Sequence, residues 1–393
     1  MVTLTKEQQG VRDCAVDFLK TPQSDKPYAV LGGPAGTGKT TLVAEIKRAF
    51  PGVPMAFISL TGRAASVLGT KLRDAGCITN DDFCGTIHRL IYEPERISEN
   101  LVRWIRRHNI KQSMIVVDEA SMVGSRMFDD LKSFGRPLLA VGDHFQLPPV
   151  RQDQDGERFN IMEKTDWVLR KIHRQAEGSP IIRLSKIIRK EGRISFEDDD
   201  PNSEVFVVSP GAKEKIGRFV RMCGDFSDAF VLCHRNENRV LWNKTIRDQL
   251  DFKSSRARPF VWERVICLRN NYQVSSGSPP IFNGQLGTVM YSEKVDNDTC
   301  LLEVRIDDDE SHYRGKTHRH TFGNPSPTID FRNKDVDYFD HGYALTVHKA
   351  QGSQAETVLV VYDYGTKGST PEMRMRWLYT AVTRAKKRLM VIK

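Results

Sequence analysis

The 393-residue sequence predicts an α/β protein built on two parallel-sheet cores. Three observations carry that expectation. The apolar run 28–31 leads into Gly33-Pro34-Ala35-Gly36-Thr37-Gly38-Lys39-Thr40, after which 41–50 reads as a helix. Short apolar runs alternate with helical patterns in both halves of the chain, as in parallel sheets with both faces covered. Residues 260–341 break that rhythm with short strands between Gly, Asn and Asp turns, a pattern that suits a small β-barrel.

The first run matters most because strand, loop and helix follow one another. In that context the spacing G-x-x-x-x-G-K-[ST] is a phosphate cradle rather than a Gly-rich turn. Gly33, Gly36 and Gly38 let the backbone curl so that successive N–H groups point inward. Lys39 then reaches the β- and γ-phosphates of a nucleoside triphosphate, Thr40 offers its hydroxyl to a magnesium ion, and Thr41 continues the helix start. Further strands of the first core are expected at 55–60, 114–117 and 138–141. The strand at 114–117 ends in Asp118-Glu119-Ala120-Ser121. At the carboxyl end of such a strand Asp118 would hold magnesium, and Glu119 would orient and deprotonate the attacking water. The strand at 138–141 ends in Gly142-Asp143-His144-Phe145-Gln146-Leu147-Pro148-Pro149-Val150. The Gln146 amide, both donor and acceptor, can bond a γ-phosphate oxygen and report its loss, on a loop stiffened by two prolines. Strands at 205–208, 230–233, 358–362 and 389–392 are expected to make the second core.

Composition narrows the partner. With 59 Lys+Arg against 50 Asp+Glu, the net charge of +9 points to a polyanion. No stretch approaches the apolar length of a membrane span, and the N-terminus has no signal-peptide core. Seven scattered cysteines without a C-x-x-C pair read as reduced thiols of a cytoplasmic protein and support no zinc or iron–sulfur site.

The order of these segments resembles the superfamily 1 helicases, specifically the 1B branch with its RecD-like and Dda-like members. Leu4-Thr5-Lys6-Glu7-Gln8 resembles the Q motif, which implies that Gln8 reads the adenine edge. Leu60-Thr61-Gly62-Arg63-Ala64-Ala65 resembles motif Ia, and Thr86-Ile87-His88 the element after it. His173-Arg174-Gln175 resembles motif IV, with Arg174 as an arginine finger. Tyr343-Ala344-Leu345-Thr346-Val347-His348-Lys349-Ala350-Gln351-Gly352 resembles motif V. Leu378-Tyr379-Thr380-Ala381-Val382-Thr383-Arg384-Ala385 resembles motif VI, where Arg384 would be the second γ-phosphate arginine. The chain departs from the family at Leu60, where proline is frequent, and at Gln354, where many members carry a glutamate expected to touch the nucleotide sugar. An amide still bonds a ribose hydroxyl, although a purely ribose-specific requirement is then in doubt.

The resemblance implies two RecA-like cores: 1–88 with 112–167, and 168–259 with 342–393. It further implies a pin at 89–111 and an SH3-like β insertion at 260–341. ATP bound between the cores would meet Arg174 and Arg384 from the second. In the pin, Trp104 or Tyr92 would stack at a duplex junction; the alternative is an amphipathic helix over 98–109 that packs Leu101 and Trp104 on the first core. His312, His318 and His320, beside Arg314, Lys316 and Arg319, are expected in a basic solvated loop. Asp307 to Glu310 and 198–200 are expected as exposed acidic turns. The cations Arg183, Lys186, Arg189, Lys190 and Arg193 read equally as a backbone-tracking helix face and a solvated one.

The expected activity is ATP-dependent, magnesium-requiring movement 5′ to 3′ on single-stranded DNA, with unwinding of duplex. Its direction rests wholly on the resemblance. Thr61, Arg63, Thr86, His88, Thr346 and His348 would grip the strand. Arg235, Asn236, Arg239 and Asn243 are expected to face DNA, with Asn236 bonding a phosphate or sugar oxygen. Implied partners are single strands, single/double-strand junctions and a single-strand-binding or replication protein, met by a monomeric motor. Two rivals stand beside this reading: a non-motor ATPase subunit of a recombination complex, and an RNA helicase of the same superfamily. The Q-motif-like residues lie close to residue 1, which favours a stand-alone motor over the subunit.

Overall fold

The computed structural model describes the chain apart from residues 1–2, 22–25, 99–100, 150–158, 173–177, 195–203, 212, 253–257, 272–280, 308–310, 331–332, 334 and 365–369. It divides into two compact units, 1–182 and 183–393.

The first unit opens with α1 (Lys6–Lys20), started by a capping box in which Thr5 and Gln8 bond each other's backbone N–H at 3.2 and 3.0 Å. There follow β1 (Tyr28–Gly32), α2 (Lys39–Arg48), β2 (Met55–Ser59), α3 (Gly62–Asp74), β3 (Phe83–Thr86) and α4 (Ile87–Ile91). After β4 (Tyr92–Ser98) and β5 (Leu101–Arg106) come β6 (Met114–Asp118), α5 (Ser125–Lys132), β7 (Leu138–Gly142) and the short β8 (Trp167–Val168). The sheet is parallel in the order β3-β2-β6-β7-β1-β8. Every residue of β2 and β7 is buried, because apolar clusters cover both faces. Ala29 and Leu31 join the cluster with Leu19, Leu42 and Leu68, whereas Val30 joins Ile87, Phe128 and Leu131 on the other face.

Tyr92–Ser98 and Leu101–Arg106 pair as antiparallel strands and are not a helix, with Trp104 opposite Pro94 in register. Tyr92 is not free to wedge a duplex: its hydroxyl donates to Asp130, and its ring lies 4.6 Å from that of His88.

The division between units falls within α6 (Pro180–Glu191). Next are β9 (Val205–Val208), α7 (Lys213–Met222), β10 (Ala229–Cys233) and α8 (Asn236–Gln249). An insertion follows with β11 (Arg264–Cys267), β12 (Leu286–Lys294), β13 (Thr299–Ile306), β14 (His312–His318) and β15 (Phe339–His341). The chain then returns through β16 (Ala344–Thr346), β17 (Ala355–Val361), α9 (Pro371–Val382) and β18 (Ala385–Ile392). One sheet is parallel, β16-β10-β17-β18-β9; the insertion is a separate antiparallel sheet, β14-β13-β12-β11-β15, around Val265, Leu302, Tyr313 and Phe339.

Several expectations change here. His312, Arg314, Lys316 and His318 are not in a loop but alternate along β14, and Arg319 and His320 begin the short helical turn after it. Arg239 and Asn243 do not face DNA. Both are buried on α8, Arg239 paired with Asp340, and Asn243 bonded to the backbone of Tyr343 and Ala344 at 2.8 to 3.1 Å. They fasten the helix to the chain leaving the insertion. Asp307 sits in an exposed turn, as expected, and its carboxylate takes the buried Arg264 guanidinium, while 308–310 lie outside the described residues. In α6, Arg183, Lys186 and Lys190 are exposed, while Arg189 lies over the Tyr379 ring at 5.7 Å. The acids at 198–200 lie outside the described residues. Among the described residues no helix is long and apolar enough to cross a membrane.

Candidate nucleotide site and nucleic-acid face

The phosphate loop runs from the carboxyl end of β1 to the start of α2. Gly36 and Gly38 sit at φ +83 and +80, where a side chain would be strained. Gly33 is needed for space: a Cβ there would lie 2.8 Å from the Thr37 hydroxyl and 3.2 Å from Leu169. Its N–H donates to the Gly142 carbonyl at 3.1 Å, which ties the loop to the segment carrying Gln146. The Lys39 ammonium is held on the loop's own carbonyls, Gly33 at 2.6 Å and Pro34 at 3.1 Å. Thr40 and Thr41 lie in the first turn of α2, among N–H groups without intrahelical acceptors.

Gln8 has a different employment from the adenine contact expected of it. It is 2% exposed; its amide closes the capping box of α1 and donates to the Thr37 carbonyl at 3.2 Å. It therefore braces the phosphate loop from beneath.

Asp118 ends β6, two strands from β1. Burial, then the neighbouring Glu119 charge, push its carboxyl up to about 6, while Lys39 and Lys71 pull against that shift. Glu119 takes a left-handed conformation, φ +51, which turns the chain sharply at the strand end. Sequence reasoning missed two hydroxyls beside this pair. Ser59, the register partner of Asp118, and Ser121 are each 1% exposed, and their Oγ atoms have no hydrogen-bond partner. Ser121 could have been singled out from its place in the Asp-Glu-Ala-Ser run. Hard oxygen donors from Thr40 and Asp118, with two orphan hydroxyls close by, fit a magnesium ion that keeps several of its waters. Gln146 is 4% exposed, its N–H donating to the Asp143 carbonyl at 3.1 Å.

The residues expected on nucleic acid gather at carboxyl strand ends, on one edge pair of each parallel sheet. In the first unit that pair is β3-β2. Thr61 follows β2 and caps α3, accepting Ala64 N–H at 3.2 Å, with Arg63 in the first turn. Thr86 ends β3 and caps α4, accepting Arg89 N–H at 3.3 Å; at 4% exposure its hydroxyl is structural. His88 follows it. In the second unit the edge pair is β16-β10. Thr346 ends β16, and the exposed Asn236 opens α8 three residues after β10. An acceptor that sequence reasoning overlooked, Asp363, holds this corner by taking the N–H groups of His234 and Arg235 at 2.6 and 3.1 Å.

Arg384 is 2% exposed and donates to the carbonyls of Thr380 and Ser353 and the hydroxyl of Thr383 at 3.1 to 3.4 Å. Gln354 donates to the Thr383 carbonyl at 3.4 Å; Gln351 is buried, and Gly352 takes φ +77. Arg174 lies outside the described residues, as do His173 and Gln175. Trp104 is placed on β5 by its backbone alone.

Burial, then the nearby His234, lower the His348 pKa to about 4, and burial drives His341 well below its usual value. Their unfolded forms take up protons first as pH falls, so their contribution to stability is intact above about pH 6.5 and is lost below it. At about pH 5 His348 alone should cost roughly 2 kcal/mol. Urea unfolding of His348→Gln at about pH 7 and about pH 5 checks this, with a shallower acid loss expected than in the parent.

Residues 15–200 match the AAA domain family, and residues 341–392 match the UvrD-like helicase C-terminal domain. The chain is 27% identical over 402 residues to the ATP-dependent RecD2 DNA helicase of Deinococcus radiodurans, across 98% of this chain and 49% of that protein. To the RecBCD enzyme subunit RecD of Mycobacterium tuberculosis it is 25% identical over 417 residues, across 92% of this chain and 66% of the other. The solved structure of a Pif1 helicase from Bacteroides in complex with ADP-AlF3 and ssDNA has a TM-score of 0.57 and 19% identity, covering 100% of this chain and 92% of that one, a likeness of fold. The chain spans about half the length, or less, of the first curated relatives it matches.

Proposed function

We propose that this chain, which belongs to the superfamily 1B helicases in their RecD-like branch, is an ATP-driven motor that moves 5′ to 3′ on single-stranded DNA and unwinds duplex. The observation that carries the reading is the gathering of Lys39, Asp118 and Gln146 at the carboxyl end of one parallel sheet, with Thr61 and His88 at the same end of its edge strands. Open α/β sheets take their ligands at that end.

Lys39 would trade the carbonyls of Gly33 and Pro34 for phosphate oxygens when nucleotide enters. Thr40 and Asp118 would hold magnesium, which when bound offsets charge on the phosphates. Glu119, on its sharp turn, accepts the proton of the attacking water, and Gln146 bonds the γ-phosphate. Arg174 and Arg384 are proposed as γ-phosphate arginines, and Gln351, Gly352 and Gln354 as nucleotide contacts, on the resemblance. Thr61, Arg63, Thr86, His88, Asn236, Thr346 and His348 are proposed to lie along the strand. The capping duties of Thr61 and Thr86 mean that their backbone groups and neighbours, rather than free hydroxyls, would meet phosphate.

The hairpin of β4 and β5 is proposed as the pin. Trp104→Ala is expected to abolish unwinding while DNA-stimulated ATP hydrolysis persists; retention of both would make Trp104 part of the hairpin's own packing. The whole reading is tested by strand displacement with ATP and magnesium on 5′-tailed, 3′-tailed and blunt labelled duplexes. Displacement of the 5′-tailed substrate alone is expected. Displacement of the 3′-tailed one would reverse the polarity. Stimulated hydrolysis with no displacement would favour a translocase, or a subunit lacking its partner.

A further inference from the structure

Trp262 combines two features that are rarely found together. Its side chain is 61% exposed, yet its backbone sits at φ +74, a region that a bulky residue occupies only under constraint. Two devices impose it. The Trp262 N–H donates to the Val289 carbonyl at 2.7 Å, beside the register shift between Val289 and Tyr291 in β12. Glu263, fully buried, takes the Arg247 guanidinium on both oxygens and the Phe260 N–H at 2.7 Å, which locks the turn. A bulge of this kind re-aims side chains, and here Tyr291 emerges 40% exposed.

Cross-strand partners share a face, so Tyr291, Glu303 and Arg314 form a row over β12, β13 and β14. Arg305 and Lys316, two residues along their strands, lie exposed on that same face. Among the described residues the carboxylates on this side are engaged: Glu303 meets His312 at 3.3 Å, Glu293 accepts the Tyr291 hydroxyl at 2.7 Å, Asp307 takes the Arg264 guanidinium, and Asp296 accepts from Thr299 at 2.8 Å. Trp262 stands one hydrogen bond from β12, and the cations lie one and two strands beyond it on β13 and β14; exposed rings at one side of a sheet with cations across it match several stacked bases and their phosphates. A protein-docking face would be expected to carry a broader apolar centre with fewer charges.

We propose that Trp262 and Tyr291, with Arg305, Arg314 and Lys316, form a base-stacking subsite for single-stranded nucleic acid on the insertion of the second unit. The inference rests on the nucleic-acid reading above and adds a contact outside the motifs. The locked turn presents the Trp262 ring already ordered, so that little conformational freedom is lost when a base stacks on it.

Trp262→Gly is the decisive variant, because glycine adopts φ +74 without strain and the fold should melt no lower than the parent. Fluorescence anisotropy with labelled oligothymidylate should show binding weakened roughly tenfold, with Trp262→Phe keeping most of the affinity. Lys316→Ala should flatten the dependence of affinity on salt by about one phosphate contact. Unchanged binding in the folded glycine variant would overturn the subsite and leave the motor reading intact. Unchanged binding together with a change in self-association would reassign the face to a protein contact. If the parent hydrolyses ATP but binds no oligothymidylate, the nucleic-acid reading itself fails and takes the subsite with it.

Discussion

Lys39→Ala is expected to reduce ATP hydrolysis by at least about 10²–10³-fold, the cost of removing one preorganised charge from a phosphoryl-transfer site. Single-stranded DNA binding should remain measurable, because Thr61, Arg63 and His88 stand at the ends of other strands. The fold should also survive. Among the described residues the ammonium bonds the Gly33 and Pro34 carbonyls, and the loop that carries them is tied independently by Gly33 N–H to Gly142 and by Gln8 to the Thr37 carbonyl. A second consequence follows from Asp118. Lys39 is one of the cations that hold its raised pKa down, so its removal should push that carboxyl higher in the nucleotide-free protein. Steady-state hydrolysis with and without single-stranded DNA, beside anisotropy with the same strand, separates these effects. Normal DNA-stimulated turnover in Lys39→Ala would remove the phosphate-loop assignment.

The strand–loop–helix framework of the candidate nucleotide site was legible because its logic is local. A strand, eight loop residues and a helix suffice, and the Asp118-Glu119 pair announces itself at the end of an apolar run. The expected strands even stop one residue early, at 31 and 141, because Gly32 and Gly142 look like loop residues. They belong to the sheet because they pair with each other across β1 and β7, and both places are crowded by side chains: a Cβ on Gly142 would lie 2.9 Å from the Met162 sulfur, and one on Gly32 2.7 Å from Thr165. What failed to show was whatever depends on a distant partner. Arg239 follows a segment that looks nucleic-acid-facing, but its carboxylate, Asp340, lies 101 residues away. In β14 only Tyr313 and Thr317 are buried, so a strand of His, Arg and Lys reads as a solvated loop. β3, with Phe83-Cys84-Gly85-Thr86, is too short and too weakly apolar to stand out, and only pairing with β2 makes it a strand. Gln8 shows the same limit at a motif, where resemblance names a ligand contact and the structure shows a brace.

Arg247→Met is expected to destabilise the second unit by about 3–5 kcal/mol, a loss far beyond that of a surface ion pair. Glu263 is fully buried and Arg247 nearly so; their bidentate contact at 2.5 and 3.1 Å joins α8 to the turn that begins the antiparallel sheet. Removing the guanidinium alone leaves a buried carboxylate whose remaining donor, among the described residues, is the Phe260 N–H. That desolvated charge, rather than the lost attraction, carries most of the cost. The double change Arg247→Met with Glu263→Gln should therefore recover a large part of the stability, because the buried charge is gone and the Phe260 N–H keeps an oxygen to bond. Urea unfolding of both variants gives the comparison. A loss under about 1 kcal/mol in Arg247→Met would mean that water or Lys/Arg neighbours reach Glu263 and that the turn is not locked by this pair. The single variant also tests what holds Trp262 at its left-handed φ. If the pair fixes the turn, loosening it should weaken oligothymidylate binding even though Arg247 itself lies buried, away from any strand. Full affinity in a destabilised but folded Arg247→Met protein would leave the Val289 hydrogen bond and the β12 bulge as sufficient to present the ring.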